Sequence, residues 1–511
     1  MRSFALLGAF LIVISLFAGH LPAQPRRTPL GPEVNSPTHD ESAPVVSADG
    51  TTLYFWSLGR EDGYGIQDIY IAEATSNGGW TTARNAGYPL NDAECNIPFS
   101  LTPDGTRLLV YREARKYDAT DSLIDLALSP RAIGSWGTPS PIKIDGYVNR
   151  GSASLSAYLA SDGRTLLLSI VGPGSLGQED LYVCFYDRER RRFSAPLSLG
   201  SALNSAGPEV TPFLAADGVT LYFSATRPGG LGGLDLWMTR RLDESWQRWT
   251  PPVNLGPTVN SPGDELYLQL PAVGRRAVFA SNWQTPTRDL YSVDLPPSVM
   301  PRPVLLIKGK VLDQQTQQPI MASIVYQGLP SGRELGIAQT DTSSLEYRLI
   351  LPAGLTYGFL ALAPGYVAIS ENVSVSLPAG QMYAEQERTL TLARLEVGAT
   401  IRLNNLFFAT GKAELRPESI PELERVVALL RTEPRLSLEL AGHTDDIGAD
   451  TLNISLSERR AKAVQDYLVT QQIEAWRTVV RGYGAREPLA PNTSEADRRR
   501  NRRVEIRILS L

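Results

Sequence analysis

The sequence predicts a multidomain, mostly β protein. It should comprise a five-bladed all-β propeller closed by an N-terminal strand, a small β-sandwich, and a C-terminal α+β unit. Three observations predict this. One motif recurs five times at a near-constant period; a proline-rich stretch then ends that pattern and short alternating runs follow; finally, strand and helix patterns alternate. At 511 residues the chain is too long for a single core. A net charge of -5, with 43 Gly and 37 Pro, fits a turn-rich globular protein and argues against a disordered or nucleic-acid-binding one.

The first segment, "MRSFALLGAFLIVISLFAGHLPAQ", has an early arginine, an apolar run and small residues near Ala23. It reads as a secretory signal peptide over residues 1–23, the other reading being an uncleaved anchor helix. No cysteine follows the apolar run, so a lipid anchor is not expected, and no later stretch is long and apolar enough to span a membrane. In an exported protein Cys95 and Cys184 could form one disulfide or remain two buried thiols, and spacing leaves both open. Neither a metal site nor a cofactor is expected.

From residue 28 to 298 the fragments "SADGTTLYFWS", "TPDGTRLLVYR", "ASDGRTLLLSI", "AADGVTLYFSA" and "PAVGRRAVFAS" vary one theme. Their glycines, Gly50, Gly105, Gly163, Gly218 and Gly274, lie 55, 58, 55 and 56 residues apart. Each marks a turn followed by a strand. A second strand follows each time, opened by Asp68, Asp125, Asp180, Asp235 or Asp289. A tail ending in Leu-Asn or Val-Asn completes each unit except the fifth, and the matching tail, "PLGPEVNSP", precedes the first. Five heads and five tails, one of them displaced to the N-terminus, describe a closed ring. The repeats resemble the WD40-like (TolB-type) periplasmic β-propeller family. The periodic aspartates invite a metal or catalytic reading, but a residue repeated in every unit ordinarily caps a turn or accepts from backbone amides.

After the linker "DLPPSVMPRP", residues 304–393 carry short alternating strands with Gly and Pro turns, which predict the sandwich. The order "GKVLD", "ASIVY", "LEYRLILPAG", "YGFLALAPGY" resembles the carboxypeptidase regulatory-like (transthyretin-like) domain. That resemblance implies a spacer or interaction module without peptidase activity.

Residues 396–511 read as strand "TIRLNNLFFAT", helix "PESIPELERVVALLRTE", strand "RLSLELAGH", helix "LSERRAKAVQDYLVTQQ", strand "RTVVRGYG" and strand "RRVEIRILSL". Asn453, Ser457, Arg460 and Val464 share one helical face by their spacing. Gly448 allows the loop "TDDIG" to return toward the helix start, bringing Asp445 and Asp446 near it. An acid and a guanidinium so placed could hold each other, or a ligand bearing both charges. The motifs "FFATGKAELRPES", "GHTDDIGADTLNISLSERRAKAVQDYL", "RGYGAREPLAPN" and "NRRVEI" together resemble the OmpA C-terminal-like peptidoglycan-binding domain. The resemblance implies a pocket for the zwitterionic end of the stem peptide's diaminopimelate. By motif, Asp445 takes the ammonium and Arg460 the carboxylate. Thr444, Asn453 and Leu456 line the pocket, Arg502 supports it, Phe408 packs nearby, and Arg459 faces solvent. Two departures touch the rim: Asp497 stands where glycine is common, and "FFATGKAEL" replaces a more acidic strand.

The chain after residue 23 keeps only His39 and His443, and no P-loop, H-E-x-x-H or nucleophile-elbow context is present. The expected function is therefore a non-enzymatic, periplasmic envelope protein associated with the outer membrane and cell wall of a Gram-negative bacterium. It would bind peptidoglycan while propeller and sandwich meet other envelope proteins, with a role in anchoring secretion machinery of the type IX class as the finer expectation. The alternative is a propeller-borne hydrolase tethered to the wall, since a glycosidase needs only two carboxylates.

Overall fold

The computed structural model describes residues 27–112, 126–150, 155–329, 331–367, 369–409 and 411–511. The signal segment and Asp125 lie outside them. The five repeat units each form one antiparallel sheet of four or five strands. The turn glycines explain why the strand reverses where it does: Gly50, Gly105, Gly163, Gly218 and Gly274 all have φ between +66° and +90°, a region closed to most side chains. The strand that follows is buried on both faces, as in Thr52–Leu58, where residues 53 to 57 are all covered.

The innermost strands touch in a cycle. Glu41–Val46 meets Asn96–Leu101, and contacts continue through Ser156–Leu159, Glu209–Leu214 and Glu265–Gln269 back to Glu41–Val46. Backbone hydrogen bonds join neighbouring sheets at equivalent points: Glu209 N donates to Glu179 O (2.7 Å), Glu265 N to Leu234 O (2.6 Å) and Glu41 N to Arg288 O (2.7 Å). The last of these connects the fifth sheet to the first. Thr28–Pro29 adds to the outer edge of the fifth sheet, with Thr28 opposite Ser292 and Pro29 opposite Tyr291.

Three innermost strands begin with a fully buried glutamate, and each one has an arginine. Glu41 pairs with Arg60 (2.7 Å) and Glu209 with Arg227 (3.2 Å), both within their own unit. In the fifth unit Trp283 and Gln284 occupy that stretch, and Glu265 pairs instead with Arg27 (3.2 Å) from the N-terminal segment. The Arg27 guanidinium also lies 4.3 Å over the Trp283 ring. Burial raises all three carboxyls, opposed by the serine and arginine partners. The recurrent aspartates fold the preceding loops: Asp68, Asp180 and Asp235 accept from the backbone N–H of Tyr64, Leu176 and Leu231, at 2.5, 2.8 and 2.5 Å. No disulfide joins Cys95 and Cys184, and burial pushes the Cys184 thiol up to about 12.

Residues 304–394 form two sheets around one core containing Ile307, Tyr347, Leu349, Phe359 and Leu392. This unit lies against the Asp-Gly turns of the repeat sheets. Arg348 pairs with Asp49 (2.9 Å), Gln339 N donates to Asp104 Oδ2 (2.8 Å) and Ile337 N to Asp162 O (2.9 Å), while Arg302 N of the preceding linker donates to Asp217 Oδ2 (2.8 Å).

The C-terminal sheet runs Thr400–Arg402, Val504–Ser510, Ser437–His443, Thr478–Gly484, with the last two strands parallel. Helices α1 (Ile420–Thr432) and α2 (Asp450–Thr470) bury Leu423, Val427, Ala461 and Val464 with Leu438, Leu440 and Ile506. The expected strand over "TIRLNNLFFAT" covers only Thr400–Arg402, because Asn404 and Asn405 turn the chain out of the sheet. Among the described residues no helix is long and apolar enough to cross a membrane.

Removing Arg27 strands the buried Glu265 carboxylate. Arg27→Ala should lower the stability of the ring by roughly 3 kcal/mol in urea unfolding. Arg276→Ala, which breaks an exposed pair with Asp294, should leave the midpoint unchanged.

A candidate ligand pocket in the C-terminal unit

The pocket is built on how closely α2 lies on the sheet. Gly442 and Gly482 are register partners on the parallel strands. A Cβ at Gly442 would stand 2.0 Å from the Ser457 carbonyl oxygen, and one at Gly482 would stand 2.6 Å from that of Ile454. Two facing glycines thus make a notch that admits the helix backbone itself. Ser457 secures the seat, its Oγ accepting from Gly484 N (3.0 Å). The buried face of α2 is Asn453, Ser457, Arg460, Ala461, Val464 and Leu468, so the helical spacing read from the sequence is the spacing observed.

The loop between Ser437–His443 and α2 turns at Gly448, with φ of +103°. Asn453 holds it, its Nδ2 donating to the carbonyls of Asp445 (3.4 Å) and Ile447 (3.2 Å). Asp445 is 7% exposed; its Oδ1 accepts from Ile447 N at 3.2 Å. Its direct ionic partner is Arg502 Nη1 at 2.6 Å, not Arg460. Arg502 in turn reaches Glu495 at 2.6 Å through Nη2. Hydrogen bonds to Glu495 and Asp445 outweigh burial and raise the Arg502 guanidinium.

Arg460, 6% exposed, donates through Nε to Lys412 O (3.1 Å) and lies 5.1 Å over the Phe408 ring. Burial, then repulsion from Arg502, pushes its guanidinium down, while Asp445 opposes the shift. Among the described residues its terminal nitrogens make no hydrogen bond. Thr444 is 3% exposed, and its buried Oγ1 also has no partner. Leu456 is half-buried one turn before Arg460, and Arg459 is exposed and bonded to Ser455 Oγ at 2.6 Å.

Sequence reasoning missed three contributors. Glu495 starts the short helix α3 (Glu495–Asn501), whose capping box pairs Ser494 with Asp497. The "S-E-A-D" pattern could have revealed it, and it gives Asp497 a structural role. The Lys412 carbonyl could not be read from residue type. The third is a buried group behind the strand end: His443 stacks on Tyr483, with Nε2 3.5 Å from Glu505 Oε2, and Arg503 Nε lies 2.6 Å from Glu505 Oε1. Burial alone would raise Glu505, but the nearby His443 ring and the hydrogen bond from Arg503 outweigh it and hold the carboxyl at about 2.

Residues 407–502 match the OmpA family, a span that contains all seven candidate site residues, from Phe408 to Arg502. The C-terminal unit is OmpA-like. Outer membrane protein A of Bordetella avium is 40% identical over 103 residues, 20% of this chain and 53% of that protein. The peptidoglycan-binding protein ArfA of Mycobacterium tuberculosis is 37% identical over 99 residues, 19% of this chain and 30% of its own length. Photosystem I P700 chlorophyll a apoprotein A2 of Gloeobacter violaceus is 32% identical over 200 residues, 37% of this chain and 21% of that protein. The chain therefore spans about half or less of the length of these curated relatives.

Two measurements test the OmpA-like unit's architecture. Gly442→Ala should destabilise it by about 1–3 kcal/mol in chemical unfolding, since the helix must lift to make room. Glu505 is depressed from the usual 4.5 to about 2, so its stabilisation is complete above 4.5 and is lost as pH falls toward 2. Glu505→Gln should accordingly flatten the acid limb of the stability profile in that window.

Proposed function

We infer that the chain is an envelope protein that holds peptidoglycan through the OmpA-like unit, gripping the zwitterionic end of a diaminopimelate side chain. The observation that carries this reading is the convergence of unsatisfied polar groups. Arg460 uses only its Nε, on the Lys412 carbonyl, and its terminal nitrogens make no hydrogen bond among the described residues. The Asp445 carboxylate acts on its charge, and the Thr444 hydroxyl is buried and unpaired. A buried guanidinium without a carboxylate partner is costly, and a ligand carboxylate would complete it with two parallel hydrogen bonds. The ligand ammonium would share Asp445, whose place Arg502 and Asn453 fix. The name of the relative ArfA supports the same reading.

The N-terminal half is read as a five-bladed propeller of periplasmic type, supported by the cycle of inner strands and the pairing of Thr28–Pro29 with Asp289–Asp294. Its role is to meet other envelope proteins, with the two-sheet unit as spacer, and so to tether an outer-membrane or secretion-related assembly to the wall. The reading is of a binder and not an enzyme. His39 Nδ1 is taken up by Ser36 (2.9 Å) and Thr38 (3.0 Å) in its own turn, and His443 is enclosed behind the strand end.

Pull-down with purified sacculi tests the pocket. Asp445→Ala and Arg460→Ala should each lose most retention, a loss of roughly 2–5 kcal/mol for a buried charge-assisted contact. Arg459→Ala should bind as the unaltered chain does. Equal retention by all three would rule the pocket assignment out.

A further inference from the structure

The two-sheet unit and the OmpA-like unit meet along a packed seam. Val367 and Ala393 of the former share a core with Ile401, Leu423 and Val427 of the latter. Asn372 Nδ2 donates across it to Asn405 Oδ1 at 2.8 Å. The C-terminal sheet packs α1 and α2 on one face, and the alternation of its strands turns Arg402, Glu439, Arg503 and Glu505 to the other. Where that charged face meets the two-sheet unit, a cavity of about 570 Å³ remains, room enough for a small molecule.

Two charges in its wall lack a good partner. Arg402 is half-buried, and its Nε is shut off from solvent without a hydrogen-bond partner. The acids beside it are engaged elsewhere: Arg503 takes Glu505 at 2.6 Å and Arg507 takes Glu487 at 2.5 Å. Burial, then repulsion from Arg503 and Arg500, pushes the Arg402 guanidinium down. Glu371, on the strand Ile369–Ser374 of the two-sheet unit, lines the same cavity. Its ion-pair partner, Arg388, stands off at 3.7 Å, and burial raises the carboxyl. Arg402 and Glu371 act on each other's charge but make no ion pair among the described residues. An open cation and an open acid thus stand apart, one on each side of the seam. Pro488 and Leu489 add an apolar stretch to the wall.

We propose that this cavity is a second ligand site, for a small zwitterionic amino acid whose carboxylate meets Arg402, whose ammonium meets Glu371 and whose apolar side chain rests on Leu489. It shares no residue with the pocket of Asp445 and Arg460 and does not depend on it. The charges select the ligand. A guanidinium short of an acceptor and a carboxylate held only at 3.7 Å are both stabilised by a molecule bearing the opposite signs. A polyanion would set its further charges against Glu371, Glu487 and Glu505. A neutral apolar molecule would leave both charges desolvated and unpaired. Because the lining comes from both units, an occupant would also tie one to the other.

Isothermal titration of the full chain with L-leucine and D-leucine tests this, with Arg460→Ala as the background so that the other pocket is disabled. At least one enantiomer should bind that chain. N-acetyl-leucine, which lacks the ammonium, and leucine methyl ester, which lacks the carboxylate, should each bind about tenfold or more weakly than leucine. Arg402→Gln should weaken leucine about tenfold or more, and Glu371→Gln should do the same from the opposite wall. An unchanged thermal transition without ligand would show each variant folded. Leucine bound equally by both variants would overturn the site. Binding by the unaltered chain that Arg460→Ala abolishes would place the ligand in the other pocket and also overturn it, as would no heat from either enantiomer at millimolar concentration. Inorganic phosphate binding as tightly as leucine would reduce the cavity to an anion site and overturn the zwitterion assignment. None of these outcomes bears on retention by sacculi, which tests the other pocket alone.

Discussion

The candidate pocket depends on one contact, the backbone of α2 against a pair of glycines. An ordinary helix–sheet packing would keep the helix axis about 10 Å from the sheet through its side chains. Gly442 and Gly482 remove those side chains, so the Ser457 and Ile454 carbonyls come where a Cβ would be. The consequence reaches along the helix. Asn453 comes within reach of the loop carbonyls, and Arg460 is buried over Phe408 instead of extending to water. Every polar group of the pocket is thus placed by elements that cannot move independently, the preorganisation a small charged ligand requires.

The N-terminal half solves a different problem with equal economy. Five sheets touch in a cycle along their innermost strands, and the N-terminal strand that joins the fifth of them is two residues long. So short a ladder is weak by itself. Arg27 adds an ion pair with the buried Glu265 and a cation–π contact with Trp283, filling the place that Arg60 and Arg227 occupy in their own units. The N-terminal segment is therefore held to the fifth sheet by side-chain chemistry as well as by strand pairing. Among the described residues the two-sheet unit meets these sheets at their turn end.

Much of this was legible in the sequence, and for a physical reason. Repetition exposes a β architecture that single strands would hide, so the five turn glycines and the displaced tail predicted both the sheets and the Thr28–Pro29 pairing. Helical spacing gave the buried face of α2, and three of the periodic aspartates, Asp68, Asp180 and Asp235, accept backbone amides. What escaped was whatever depends on three-dimensional neighbours. The partner of Asp445 is Arg502, which is distant in sequence, and the carbonyl of Lys412 carries no residue-type signal. The strand at Thr400–Arg402 ends early because two asparagines compete with the ladder, a turn signal outweighed by the apolar pattern around it.

The Arg502–Asp445 pair bears on how the proposed pocket would work. An acid that must receive an ammonium is usually kept free, yet here it is already bonded at 2.6 Å. The geometry resolves the conflict. Arg502 takes Oδ2 and divides its charge with Glu495, while Oδ1 carries only one long hydrogen bond from Ile447 N, at 3.2 Å. A carboxylate has lone pairs for several donors, so an ammonium can join at Oδ1 without displacing Arg502. Before that, Arg502 serves a second purpose: it neutralises Asp445 and so keeps the acid from drawing Arg460 into a private salt bridge. Arg460 then stays charged, buried and short of an acceptor, held by Phe408 and one carbonyl. The unsatisfied arginine is sustained by the satisfied one, and in the proposed pocket a ligand carboxylate would complete it.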